Sequence, residues 1–192
     1  MSVAGNDSRL PAEYKEVEWL ESVDGIIYLG IGPTLVYGIS CTIMYHTTSG
    51  ESWVYGTGQQ GSLRVGTRVV PATNEILFNR GWQRMTLQNF SAEVYHTISQ
   101  FNTYVVIDGV TTSAGGSFNF AQAGNNWAVW GVGSGEQSHG FRFKNDVILY
   151  DSNLDVLADF VPCYRKDNNV MGLYDIIGNS FKQVTGSFIK SE

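Results

Sequence analysis

The hydrolysis of glycosides needs two carboxyl groups on either side of one bond, one donating a proton and one attacking or activating water. In this chain Glu16 and Glu18 alternate and so share a strand face. Val17 and Trp19 beside them make the stretch a first strand with one solvated side. The E-x-D-x-E spacing of a jelly-roll hydrolase is absent, as is any G-x-S-x-G elbow, and no Ser/His/Asp set has a specific spacing. No catalytic residue is assigned. A hard cation needs several converging oxygens. Asp24 and Asp146, both beside predicted turns or strand ends, are the candidate calcium ligands. Sugar recognition needs aromatic faces for stacking, flanked by hydrogen-bonding side chains. Trp53, Tyr55, Trp127 and Trp130 offer the rings, and Asn125, Asn126 and His139 offer polar groups on neighbouring loops. Trp127 and Trp130 lie an odd number apart, so one strand would aim them at opposite faces. The same rings would serve equally as core filling between two sheets.

These residues need a scaffold, and composition narrows it. A 192-residue chain with 43% hydrophobic residues fits one large β domain. Its 13% aromatic content and 22 glycines match strands joined by tight turns. The net charge of −6 and the absence of a Lys/Arg run leave no basic stripe for nucleic acid. The longest apolar runs fall far short of the ~20 residues that cross a bilayer, so no membrane insertion is expected. Met1–Leu10 is polar and shows no signal-peptide core. Cys41 and Cys163 are too few for a disulfide framework and are expected as buried thiols, with one disulfide as the alternative.

Residues 1–9 read as a flexible arm and 10–192 as a single domain. Ile39, Cys41, Ile43 and Tyr45 alternate with Ser40, Thr42, Met44 and His46, the period of a half-buried strand. Further strands are expected at 53–55, 62–67, 75–79, 83–89, 93–100, 103–107, 118–120, 127–132 and 140–151. Asp108-Gly109 after Tyr104–Ile107 predicts a tight hairpin turn. No Gly-free 12-residue window has helical spacing. His46, His96 and His139 are most simply surface or hydrogen-bonded sheet residues. Many short strands and no helices mean a sandwich or barrel.

Two end segments carry a resemblance. Leu10-Pro11-Ala12-Glu13-Tyr14 through Val17-Glu18-Trp19-Leu20-Glu21-Ser22, followed by Ile27–Pro33, is similar to the opening of concanavalin A-like, laminin-G-like jelly-roll domains of gut bacteria and their phages. Asp159-Phe160-Val161-Pro162-Cys163-Tyr164-Arg165 and Gly172-Leu173-Tyr174-Asp175 resemble the closing segment of the same domains. Tyr95–Ile98 with Tyr104–Gly109, and Phe141–Asp151, agree more loosely with the middle. The resemblance implies an all-β, antiparallel two-sheet jelly-roll sandwich of the lectin/glucanase type. It also implies first and last strands in one sheet, and Pro162 at a strand end. The function it implies is a non-catalytic phage virion surface component, a head or tail fibre or decoration protein, with host-surface glycans as the expected ligand. A carbohydrate-binding or adhesin module of a bacterial surface protein is the alternative, and a glycan hydrolase or lyase is a third reading. Expected partners are other virion proteins, copies of the chain and a cell-surface glycan. No cofactor is expected beyond the calcium alternative. Arg64, Arg68, Arg80 and Arg84 against the acidic Glu13–Asp24 stretch suggest electrostatic docking between copies.

Overall fold

In the computed structural model, residues 9–46, 51–58, 64–80, 83–118, 120, 126–132 and 140–192 are described. The first half of the chain forms β1 (Tyr14–Glu16), β2 (Trp19–Ser22), β3 (Ile27–Tyr28), β4 (Gly38–Tyr45), β5 (Ser52–Thr57), β6 (Val65–Val70), β7 (Glu75–Arg80) and β8 (Gln83–Leu87). The middle forms β9 (His96–Phe101), β10 (Tyr104–Ile107), β11 (Val110–Ser113) and β12 (Ala128–Val129). The last part forms β13 (Phe141–Tyr150), β14 (Val156–Arg165), β15 (Met171–Asp175), β16 (Ser180–Gln183) and β17 (Phe188–Lys190). All named pairings are antiparallel and fall into two sheets, so the chain is an all-β jelly-roll sandwich. The larger sheet runs β11-β10-β9-β4-β13-β14-β15-β16, with β1 on β14, β2 on β13 and β17 on β2. The smaller runs β3-β12-β5-β6-β7-β8.

Period-two alternation sets the core. On β13, Phe141, Phe143, Val147 and Leu149 are fully buried, while Arg142, Lys144, Ile148 and Tyr150 are only partly so. On β4, Ile39, Cys41, Ile43 and Tyr45 meet them from the same face. The smaller sheet supplies Tyr55, Val69, Ile76 and Phe78. Each large apolar side chain buried this way contributes roughly 1.5–3 kcal/mol. Polar links also cross this core: Thr67 Oγ1 donates to Gln100 Oε1 at 3.1 Å, both residues fully buried. Both cysteines are free and buried, and desolvation raises both thiols, that of Cys163 to about 12.

The chain's first strands act as a wedge. Phe141–Lys144 of β13 pairs with β2, whereas Val147–Tyr150 pairs with β14. Asn145, in the left-handed region at φ 61°, marks the point of change. The first strand β1 and the last strand β17 lie in one sheet, β1 on β14 and β17 on β2. Pro162 does not end a strand. It lies inside β14 opposite Leu173, and its carbonyl accepts from Val17 N, just past the end of β1. The imide nitrogen therefore faces the side where pairing has lapsed, and no ladder bond is lost. Arg9, expected in the loose arm, is docked by ion pairs to Glu16 and Asp146. Two strand expectations fail. Phe118 lies outside any strand although its ring is buried, and the 127–132 stretch keeps only the two residues of β12.

Candidate functional site

The rings expected to stack on sugar are core residues. Tyr55, Trp127 and Trp130 are fully buried, and Trp53 is 9% exposed. Tyr55 and Trp127 pack at 6.1 Å between ring centroids, and burial pushes the Tyr55 hydroxyl well above its ordinary range. Trp130 meets Phe143 and Phe188 edge-on and donates its Nε1–H to Phe141 O at 3.0 Å. The odd spacing of Trp127 and Trp130 misleads because the strand is not continuous between them. Trp130 takes φ 54°, which turns its ring back into the core. The Trp53 ring carries the guanidiniums of Arg64 and Arg68, each 5.5 Å from its centroid, and Arg68 also pairs with Glu51. That ring is nearly buried and engaged by cations. Asn126 is exposed, whereas Asn125 and His139 lie outside the described residues.

Asp24 and Asp146 do not form a shared cation site. They flank opposite ends of the β2–β13 ladder, beyond the Ser22–Phe141 and Trp19–Lys144 pairs respectively. Asp24 Oδ1 accepts from Ser187 N at 2.7 Å, and both Asp146 oxygens accept from the Arg9 guanidinium. Among the described residues no three His, Cys, Asp or Glu side chains converge for a metal.

What the fold does build is a cleft at one rim of the sandwich, of about 240 Å³. Ile76 of β7 and Leu87 of β8 form its wall on the smaller sheet. Ile107, Val110 and Thr112 of the β10–β11 hairpin form the opposite wall. Phe90 and His96 close it, and the exposed Gln88 and Asn89 stand beside solvent. The hairpin projects here because Asp108 and Gly109 both take positive φ, 49° and 81°, the tight turn its sequence predicts.

His96 and Asp108 hold that wall in shape. His96 Nδ1 lies 2.6 Å from Asp108 Oδ2, and Nε2 lies 3.0 Å from Ser91 O. Asp108 Oδ1 accepts from Thr97 N at 2.9 Å. The Phe90 ring stacks on His96 at 4.2 Å and on Tyr45 at 5.6 Å, while the Tyr45 hydroxyl donates to Phe90 O. Gln88 Nε2 donates to Glu75, and Thr73 also donates to that carboxylate. These two hydrogen bonds lower the Glu75 carboxyl below its usual range. Both imidazole nitrogens and both Asp108 oxygens are thus committed to protein partners. The pair positions the wall, and the cleft offers a mainly aliphatic and aromatic interior with carboxamides at its edge. The sequence contained one signal for this site, the Asp108-Gly109 turn.

No family model matches the chain, and no curated protein matches it. Among solved structures it is similar to the mouse laminin alpha1 chain, domains LG4-5, at 19% identity and a TM-score of 0.42. The match covers 70% of this chain and 42% of that one, so the chain spans under half the length of that structure.

Proposed function

We propose that the chain is a non-catalytic binding module of a surface, which takes one glycan residue in the rim cleft. The observation that carries this reading is the cleft's two-sided chemistry. Phe90, Leu87, Ile107 and Val110 offer an apolar wall, and Gln88, Asn89 and Thr112 offer hydrogen-bonding groups beside it. A sugar ring has an apolar face and a hydroxyl rim, and such a site meets both. Its volume of about 240 Å³ is small beside the roughly 300–1,000 Å³ of sites that enclose a drug-sized ligand, which favours one terminal or branching ring. The placement of His96 and Asp108 against protein partners, where they brace the wall, supports binding over turnover.

The surface in this proposal is that of a phage particle. The opening and closing sequence segments, which resemble jelly-roll domains of gut bacteria and their phages, support it, and a bacterial adhesin module is the alternative. A glycan array probed with the wild-type chain and with Val110→Asp tests the binding. Val110 is 68% exposed, so the charge enters the cleft wall without entering the core. Loss of signal by about tenfold or more is expected, the scale of one unfavourable polar burial. An array blank for the wild type, or equal signals from both proteins, rejects the cleft as the site. Mass spectrometry of purified virions tests the location: recovery at structural stoichiometry supports the particle, and absence favours the adhesin.

A further inference from the structure

Two histidines grip the segment that closes the cleft, and each faces two acceptors. His96 sits between the Asp108 carboxylate and the Ser91 carbonyl. His46, just past β4, has Nδ1 3.0 Å from Glu93 Oε2 and Nε2 3.3 Å from Glu21 Oε1 of β2. Ser91 and Glu93 belong to the same short connection between β8 and β9 that supplies Gln88, Asn89 and Phe90 to the cleft. A neutral imidazole has one N–H and one lone pair, so it can donate to only one of two acceptors. The other nitrogen then faces an acceptor lone pair to lone pair. The doubly protonated ring donates to both, through charge-assisted bonds.

We propose that His46 and His96 form a proton-dependent clasp on the 88–95 segment, which fixes the cleft when both rings carry two protons and loosens it when they lose one. The inference rests on reading the cleft as the ligand site and adds how that site would be regulated. Every charged neighbour on the described residues bears on the sign. His96 faces Asp108 from the β10–β11 turn, the Ser91 carbonyl from its own segment, and the Phe90 ring. His46 faces Glu93 and Glu21, and Glu21 is shared with Arg142 of β13. Lys144, also on β13, is held by Glu18 and lies over the Tyr95 ring at 5.0 Å. Arg142 and His46 thus approach the same Glu21 carboxylate. Because the clasped state binds the extra proton, its contribution is present at the acid end and is lost as pH rises.

Amide hydrogen exchange on the whole chain reads the clasp directly. Phe90 N donates to Asn74 O and Glu93 N to Tyr45 O, each at 2.9 Å, so these two amides report on the segment. As pH rises from the acid end, their protection corrected for intrinsic exchange is expected to fall about tenfold. In the His46→Gln/His96→Gln double variant it is expected to stay level. A level profile in the wild type, or a fall that survives in a folded double variant, overturns the clasp. Imidazole nitrogen spectra of the wild type decide the matter if the variant does not fold. Both ring N–H groups of His96 must be present at the acid end, and one must be lost over the range in which protection falls. Loss of protection without that change also overturns the proposal. None of these readings involves a ligand, so a blank glycan array leaves them intact, and a level exchange profile leaves the array result intact.

Discussion

The two sheets are assembled differently. The smaller one is built largely by neighbours in sequence, since β5 through β8 are successive hairpins within residues 52–87. The larger draws together distant segments: β13 at 141–150 is paired with β4 at 38–45, β2 at 19–22 and β14 at 156–165. Its outer face carries matched groups, with Arg142 on Glu21, Lys144 on Glu18, and hydroxyl pairs Ser40–Ser99 and Thr42–Thr97. The cleft opens where the outermost hairpin of each sheet meets the other, at β7–β8 and β10–β11. The lesson is a division of labour: the long-range sheet supplies rigidity, and the site sits at the margin where local hairpins can be adjusted.

Removing the Phe143 side chain should test that division hardest. Phe143→Ala empties the centre of β13 beneath Trp130 and should cost about 3–5 kcal/mol in urea unfolding. A loss under about 1 kcal/mol, the range of surface changes, would mean that β13 is not the spine. Gly66→Ala probes the smaller sheet. Its Cβ would lie 2.4 Å from Tyr55 O and 2.6 Å from Gly56 Cα, so β5 and β6 must part, at about 1–3 kcal/mol. Faster amide exchange is expected in β5–β6 with β13–β14 unchanged. Equal acceleration in both sheets would dissolve the contrast drawn between them.

The smallest effect concerns the wedge point. Burial, with Asp146 and Asp175 nearby, raises the Asp159 carboxyl to about 6. Its folded value exceeds the unfolded one, so the folded chain holds the proton longer, and stability falls as pH rises from about 4 to 6. Asp159→Asn should therefore stabilise the protein at pH 7 by about 1 kcal/mol after solvent screening, and change little near pH 4. Chemical denaturation at the two pH values measures it. A variant less stable at pH 7 would show the carboxylate to be a favourable partner there.

Much of the fold is legible in the chain because alternation is a local signal. Ile39 to Tyr45 and Phe141 to Leu149 each declare their buried face without reference to any other strand. The site is less legible. Trp127 and Trp130 look like opposed residues until the backbone at Trp130 is known. His96 and Asp108 are twelve positions apart and each has a sound local reading, one as a sheet residue and one as a turn former. Only the register Ile98–Ile107 brings them together. Ile76, Leu87 and Val110 meet through the spacing between sheets, which no pattern within a strand encodes.

The pairing of β2 with β17 has a practical consequence. Leu20 lies opposite Lys190, and Ser191 N donates to Trp19 O, so the last strand covers the edge of β2 that faces away from β13. Removing β17 would bare that edge of β2, a row of unpaired N–H and C=O groups on which a strand of another chain could pair.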